Sequence, residues 1–209
     1  MMDLSKKEWV KHTIMHPFEG YEDLRWKKGG SLKYSFIIVL LLFVAQVAYD
    51  RLYGFQFYVV YDKLFNVIPY IVQSIILFAT WVIGNWAIST LLDGEGTLKN
   101  ICIFSAYALI PYIAQVFINV FLSHFLVRDE YIFMQAIQVI GTLWSIILMF
   151  MAIKTVHQFG VLKTIFDIIL TIFAMLIILF LLVLLLSLFQ QVYVFAYSVY
   201  TEIAYRLKV

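Results

Sequence analysis

The sequence is poor in cysteine, proline and charge. Only one of its 209 residues is a cysteine, Cys102, which excludes an internal disulfide and a cage of thiolate ligands around a metal. We interpret Cys102 as an apolar residue that fills space between helices. Charged residues make up 13% of the chain, about half the share found in soluble domains. This composition excludes an ordinary soluble protein.

Catalytic and metal-binding motifs are also missing. The chain has neither a GxSxG nucleophile elbow nor an HExxH zinc motif. His12 and His16 have the i, i+4 spacing of metal ligands, but no third ligand follows at that spacing. A catalytic site needs a nucleophile or base with an orienting partner. We therefore expect no enzymatic activity, no bound metal and no cofactor.

Apolar sequence, in contrast, is abundant. Hydrophobic residues make up 64% of the chain, and the mean hydropathy is +0.92. Runs of about 17 to 25 apolar residues cross a bilayer as helices, whereas barrel strands alternate in polarity. The sequence predicts an all-α integral membrane protein with a single bundle of five transmembrane helices. The predicted spans are Tyr34 to Tyr49, Ile68 to Leu92, Ile101 to His124, Ile132 to Ile153 and Thr164 to Phe189.

Basic residues are unevenly distributed between the two sides of this bundle. Ten of the fifteen lysines and arginines fall on the side of the N-terminus. By the positive-inside rule, we expect a cytoplasmic N-terminus and an extracytoplasmic C-terminus. The basic N-terminal residues alternate with Trp9, Tyr21 and Trp26, so we expect them to contact the headgroups of the lipid bilayer and not nucleic acid.

The chain divides into three predicted regions. Residues 1–33 are predicted to form a cytoplasmic amphipathic segment. We expect a helix break at His16-Pro17, because proline disfavours helix in the residue before it. Residues 34–189 form the five-span membrane domain, and residues 190–209 form a Tyr-rich amphipathic tail outside the cell. A straight helix from Thr164 to Val209 would be roughly 69 Å long, so we expect it to bend into the outer interface or project beyond it.

Polar residues occur inside the predicted spans. Within spans three and four, their spacing places them on one face of each helix, and we expect these faces and the Asn85 region of span two to face one another. We interpret them as interhelical hydrogen-bonding residues that fix the bundle. The alternative is a hydrophilic path for a substrate. The residues are Asn85 in span two, Ser105, Tyr112, Gln115 and Asn119 in span three, and Gln138, Thr142 and Ser145 in span four.

Ionisable residues cluster at the turn between spans four and five. Lys154 and His157 end one span, and Lys163 and Asp167 begin the next. Because Lys163 and Asp167 are one helical turn apart, we expect them to form an ion pair. Such residues at the membrane edge are candidates for function, but snorkelling lysines and paired acids are common there. We interpret the cluster as a structural anchor.

The segment Asp93-Gly94-Glu95-Gly96 interrupts the apolar sequence between spans two and three. It lacks the GxxxxGK[ST] pattern of a phosphate loop and the oxygen-rich spacing of an EF-hand. We expect Gly94 and Gly96 to adopt positive φ in a turn, and Thr97 to cap the following helix. Asp93 and Glu95 are then expected to face the cytosol or a partner. We also expect Pro111 to kink span three and free a carbonyl group.

Three segments of the chain together resemble the YIP family of five-span membrane proteins. They are HPFEGYEDLRW, NWAISTLLDGEGTLKNICIFSAYALIPYI and LWSIILMFMAIKTVH. Eukaryotic members of that family interact with Rab GTPases and carry a longer N-terminal region. The chain is most similar to short bacterial members, many of which are encoded beside carbohydrate ABC importers. The resemblance implies the signature positions Asn85, Trp86, Asp93, Gly94, Glu95, Gly96, Tyr107, Pro111 and His157.

The resemblance implies a functional hypothesis. We expect a multi-pass protein of the bacterial plasma membrane that acts as an accessory or scaffold subunit of another membrane complex. The expected partner is the permease of an oligosaccharide ABC importer, or a second copy of the chain, and the expected docking surface is the loop from Asp93 to Gly96. One alternative is a small transporter or channel that uses the polar faces of spans two to four. Another is a membrane-shaping or trafficking protein.

Overall fold

The computed structural model describes residues 6–57 and 65–208. Within these ranges the fold is built from helices. A π-helical turn, Val72–Ile76, joins α4 to α5, and a 3-10 turn, Arg128–Glu130, precedes α8. The α-helices are α1 (Lys6–Met15), α2 (Pro17–Trp26), α3 (Leu32–Arg51), α4 (Ile68–Ile71), α5 (Leu77–Leu91), α6 (Leu98–Ala108), α7 (Ile110–Leu122), α8 (Tyr131–His157) and α9 (Val161–Lys208).

Five helical segments are long and apolar enough to cross a membrane, which confirms the predicted fold class. The third segment is the most deeply enclosed, with 56% of its most apolar window buried against 6% in the last segment. The core therefore surrounds the third segment, and the fifth lies at the edge. The segments are Leu32–Arg51, Ile68–Leu91, Leu98–Leu122, Arg128–His157 and Val161–Leu207.

Pro111 breaks the third segment between α6 and α7, as predicted. Proline has no amide hydrogen and its ring clashes with the preceding turn, so the helical hydrogen bonds are interrupted there. The group that finds a partner outside the helix is an amide and not the expected carbonyl. The Tyr112 amide donates a hydrogen bond to Ser145 Oγ on α8 over 2.8 Å. The break in α6–α7 is thereby attached to the neighbouring span.

The N-terminal helices form a hairpin that packs against the side of the bundle. Its turn falls at His16 and Pro17, as predicted. The buried Tyr21 hydroxyl donates to the Phe104 carbonyl oxygen at 3.3 Å, and burial raises the pKa of Tyr21 well above its usual value. Trp144, near the middle of α8, donates its indole N–H to the Ile14 carbonyl oxygen at 3.2 Å. The hairpin therefore follows α8 along part of its length.

An ionic contact closes this hairpin. Asp23 on α2 lies 2.8 Å from Lys27 Nζ and 3.2 Å from His12 Nε2 on α1. The hydrogen bond from Lys27 lowers the pKa of Asp23 below its ordinary value, with a further contribution from His12. The carboxylate is thus charged near neutral pH and holds the two short helices together.

The last helix, α9, continues without a break for 48 residues, about 72 Å at 1.5 Å per residue. It contains neither proline nor glycine, the usual causes of a kink. Residues 183–203 are all exposed. The helix is therefore continuous through the predicted start of the tail, residue 190. Its second half extends away from the other described helices.

Candidate functional site

Buried polar side chains cluster at the end of the bundle that carries the Asp93–Gly96 loop. We call this loop the DGEG loop, and this end the DGEG end. The cluster, which we call the buried network, consists of Asn85 on α5, His157 at the end of α8, and Asp167 and Thr171 on α9. Each of the four residues is at most 1% exposed. The network joins helices that are far apart in the sequence.

The backbone at the end of α8 positions His157. The next residue, Gln158, adopts the left-handed conformation with φ of 56°, which terminates the helix. The Phe159 amide then donates a hydrogen bond to the Lys154 carbonyl oxygen at 3.1 Å. The Phe159 ring stacks on the imidazole of His157 with 5.2 Å between centroids. His157 is therefore held on the last turn of α8 and covered from one side.

The hydrogen bonds define the tautomer of His157. The Gly96 amide donates to Nδ1 at 3.3 Å, so the proton of a neutral imidazole is on Nε2, which donates to Asn85 Oδ1 at 2.9 Å. Asn85 Nδ2 in turn donates to Asp167 Oδ2 at 2.6 Å and to Thr171 Oγ1 at 3.1 Å. Both amide hydrogens of Asn85 and its oxygen are thus engaged. Asn85 is the central residue of the network.

The partner of Asp167 is not the one that the sequence predicted. We expected it to pair with Lys163, but its Oδ2 accepts the hydrogen bond from Asn85, and the Lys163 ammonium lies 4.3 Å from the centre of the Phe159 ring. A lysine one turn away is flexible enough to make this cation–π contact instead. Among the described residues, Asp167 Oδ1 is buried without a hydrogen-bond partner. The carboxyl group therefore depends on Asn85.

Gly94 and Gly96 allow the DGEG loop to lie directly against His157. A Cβ at Gly94 would be 2.7 Å from His157 Nδ1, and a Cβ at Gly96 would be 2.6 Å from the same atom. The prediction that these glycines have positive φ is wrong. None of the nine glycines, all within the described ranges, has positive φ, whereas Asp93 has φ of 56°. The glycines are needed for close approach, and Asp93, a residue type that tolerates this region, makes the turn.

Hydrogen bonds fix both ends of the DGEG loop. At its start the Gly94 amide donates to the Ser89 carbonyl oxygen at 2.7 Å. At its end Thr97 Oγ1 accepts from the Asn100 amide at 3.3 Å, which confirms the predicted helix cap. The loop backbone is therefore attached to α5, α6 and the buried network.

The two acidic side chains of the DGEG loop remain accessible. Asp93 is exposed, and the Glu95 side chain is 66% exposed. Glu95 forms an ion pair with Arg25 Nη2, while Arg25 Nη1 donates to the carbonyl oxygens of Thr155 and Val156, each at 2.6 Å. Arg25 thus connects α2, the loop and the last turn of α8. The backbone of the loop is fixed while its carboxylates face outward.

The polar face of span three forms hydrogen bonds within the membrane segment. Asn119 Nδ2 donates to Gln115 Oε1 at 3.3 Å and to the Met134 carbonyl oxygen of α8 at 3.1 Å. Gly141 on α8 lies against Gln115, since a Cβ there would be 2.5 Å from Gln115 Cγ. The hydrogen bond to Met134 is interhelical, as we favoured, whereas Asn119 and Gln115 lie on the same helix. Gln138, expected on the same face, is exposed.

The tyrosines of span three bind neighbouring segments. The buried Tyr107 hydroxyl accepts from the Ser31 amide at 3.3 Å, which attaches the linker before α3. The Tyr112 hydroxyl accepts from Gln46 Nε2 on α3 at 3.3 Å. Asn85 does not face these groups, contrary to expectation, because its partners lie on α9 and at the end of α8. The polar residues therefore form two separate groups.

Two cavities that share residues lie in the half of the bundle away from the DGEG loop, within the described part of the chain. One, of about 620 Å³, lies among α3, α5, α7 and α8 and is lined by Tyr112 and Ser145 among others. The other, of about 470 Å³, includes Asp50 at the end of α3. Gln46 and Gln73 line both cavities. Gln73 belongs to the π-helical turn, a feature that often marks functional sites.

Sequence reasoning missed two members of the candidate site. Thr171 carried a usable signal, because Thr164, Asp167 and Thr171 form a stripe at spacings of three and four on an otherwise apolar helix. Arg25 carried none, since its contacts with Glu95 and with α8 cross at least 70 residues of sequence. Thr171 could therefore have been found from the sequence, and Arg25 could not.

Comparison with known proteins gives one family match. The sequence profile of the family described as Yip1 domain matches residues 11–185. The matched range includes most of the N-terminal hairpin, the DGEG loop and the whole buried network. It ends close to the point at which α9 loses contact with the rest of the described fold. No curated protein and no solved structure matches the chain.

Proposed function

Because the chain belongs to the Yip1 domain family and has five helices apolar enough to span a membrane, we propose that it is a non-catalytic accessory subunit of another membrane complex. In this proposal the DGEG loop is the docking surface. The N-terminus and the loop face the cytoplasm of a bacterial cell, in accordance with the distribution of basic residues.

One observation carries this proposal. The DGEG loop has a backbone fixed by the buried network, yet Asp93 and Glu95 are exposed at its surface. A fixed loop loses little conformational entropy on binding, so it is suited to recognition. Its two carboxylates favour a partner segment that carries lysine or arginine. The resemblance to short bacterial members makes the permease of an oligosaccharide ABC importer the first partner to test.

We expect the variant Asp93→Asn with Glu95→Gln to fold normally and to lose most of its association with the permease. Both changes remove charge while keeping side-chain size, and asparagine also tolerates the positive φ of Asp93. Removing charges at an interface typically weakens binding by about tenfold or more. The measurement is recovery of the permease with the affinity-purified chain from detergent-solubilised membranes after crosslinking.

The matched control is Asp129→Asn with Glu130→Gln, an exposed acidic pair at the opposite end of the bundle. It removes the same charge and should leave recovery of the permease unchanged. The proposal fails if wild-type protein recovers no permease or ATPase subunit, or if both double variants recover as much as wild type.

A second candidate function, a small transporter or channel, is favoured by the cavities that share Gln46 and Gln73. Polar side chains at membrane depth are costly unless they serve packing or a solute path. We expect that Gln46→Leu with Gln73→Leu abolishes solute flux in proteoliposomes if this function is correct. Gln190→Leu with Gln191→Leu, an exposed pair on α9 that lines neither cavity, is the control. Flux that is absent from wild type, or equal in all three proteins, contradicts transport.

A further inference from the structure

A third cavity, which we call the basic cavity, lies at the DGEG end between the N-terminal hairpin and α6. Its volume is about 340 Å³, within the range of about 300–1,000 Å³ typical of small-molecule sites. Arg25, Lys28 and Lys99 contribute to its wall, and Phe104 is among its apolar lining residues. It is separate from the buried network, although Glu95 lines one side.

The charge inside the basic cavity is only partly neutralised. Glu95 pairs with Arg25 through one carboxylate oxygen, so it neutralises that guanidinium and not the two lysines. The ammonium groups of Lys28 and Lys99 make no hydrogen bond or ion pair with any residue in the described parts of the chain. Unpaired cations that line one concave site attract an anion. Lysine is a common phosphate-binding residue because it presents a compact charge with several donors.

The position of the basic cavity indicates where that anion comes from. Lys28 lies shortly before α3, and Lys99 lies in the first turn of α6, so both adjoin the starts of membrane-spanning segments. This is the depth of lipid headgroups. Trp26 lines the cavity and is 71% exposed, and tryptophan is enriched at that interface. Basic sites between helices at this depth bind acidic headgroups.

We propose that the basic cavity binds the phosphate of an anionic phospholipid headgroup through Lys28 and Lys99. The apolar lining, which includes Leu24 and Phe104, accepts the glycerol carbons next to the phosphate. A bound lipid would connect the N-terminal hairpin with α6 and occupy the space beside Glu95. This inference does not depend on the accessory role, because the lysines that carry it lie outside the DGEG loop.

The test is native mass spectrometry of the purified full chain in micelles, titrated with short-chain phosphatidylglycerol or phosphatidylcholine. Each lysine near a membrane surface contributes about a fivefold gain in affinity. We therefore expect wild type to prefer phosphatidylglycerol by about 30-fold. The variant Lys28→Gln with Lys99→Gln should lose this preference while its melting temperature stays unchanged, since both lysines are exposed.

The control variant is Lys11→Gln with Lys33→Gln, which removes the same net charge from exposed positions that do not line the cavity. It should keep the preference. Equal loss in both double variants, or no preference in wild type, overturns the proposal. Glycerol 3-phosphate is tested as a free phosphate. If it binds as tightly as phosphatidylglycerol, the site binds a free phosphate compound and not a lipid. Asp93→Asn with Glu95→Gln should not weaken lipid binding, so failure of this site and failure of partner docking are distinguishable.

Discussion

Replacing Asn85 with leucine is expected to lower the free energy of unfolding in micelles by about 3 kcal/mol. Leucine has a similar size but removes the hydrogen bonds to His157, Asp167 and Thr171. Interhelical hydrogen bonds in membranes contribute about 0.6 kcal/mol each, whereas a buried polar group left unpaired costs about 1–3 kcal/mol. The larger cost comes from the carboxyl group of Asp167, because within the described residues its second oxygen already lacks a partner.

A double-mutant cycle separates the lost hydrogen bonds from the cost of the unpaired carboxyl group. If the carboxyl group dominates, Asn85→Leu with Asp167→Leu should be about 1–2 kcal/mol more stable than Asn85→Leu alone, because both buried partners become apolar. Asn100→Leu, at an exposed position of the same end, should change stability by less than about 0.5 kcal/mol. Additive effects of the two network substitutions would contradict the assigned hydrogen bond. The free energy of unfolding of each protein is measured by chemical denaturation followed by circular dichroism.

Replacing Gly96 with alanine is expected to cost about 2 kcal/mol and to displace the DGEG loop. The new methyl group would be 2.5 Å from Val156 Cγ1 and equally close to the imidazole of His157. Overpacking of this kind typically costs about 1–3 kcal/mol. His157 is constrained, since its Nε2 is bound to Asn85 and Phe159 covers its ring. The loop must therefore move and lose its hydrogen bond to Nδ1.

Gly160→Ala is the matched control, because a Cβ there meets no atom within 4 Å. It should be neutral in the same denaturation experiment. In a His157→Ala background, Gly96→Ala should cost at least about 0.5 kcal/mol less than in wild type, since the conflict with the imidazole is removed and only that with Val156 Cγ1 remains. Equal destabilisation by Gly96→Ala and Gly160→Ala would show that the loop is not packed against the network. Partner recovery should also fall in Gly96→Ala if the loop conformation matters for docking.

The glycines of the DGEG loop show what local sequence predicts and what it does not predict. A glycine pair between spans was enough to predict a turn, and a turn is present. Which residue takes positive φ was not predictable, because Asp93 and both glycines tolerate that conformation. Packing against His157, which is 61 residues from Gly96, requires glycine at the positions beside it.

The polar residues give a parallel example. Helical spacing predicted the contact face that contains Gln115 and Asn119, because period 3.6 is a local property. It also wrongly assigned Asn85 to that contact region. The direction in which a helix face points depends on its neighbours, and sequence spacing alone does not say which span is adjacent. Contacts across long separations were missed for the same reason, as with Arg25 and Glu95.

The sequence by itself determined the class of protein, the five spans, the break at Pro111 and the position of the DGEG loop. Each of these follows from a local quantity: hydropathy over about 20 residues, or the absence of an amide hydrogen in proline. Only the tertiary structure decided that Asp167 bonds to Asn85 and not to Lys163, and that the loop lies on an imidazole. The physical reason is that a buried polar group selects its partner by proximity after the helices have packed, and helices distant in sequence supply most of the choices.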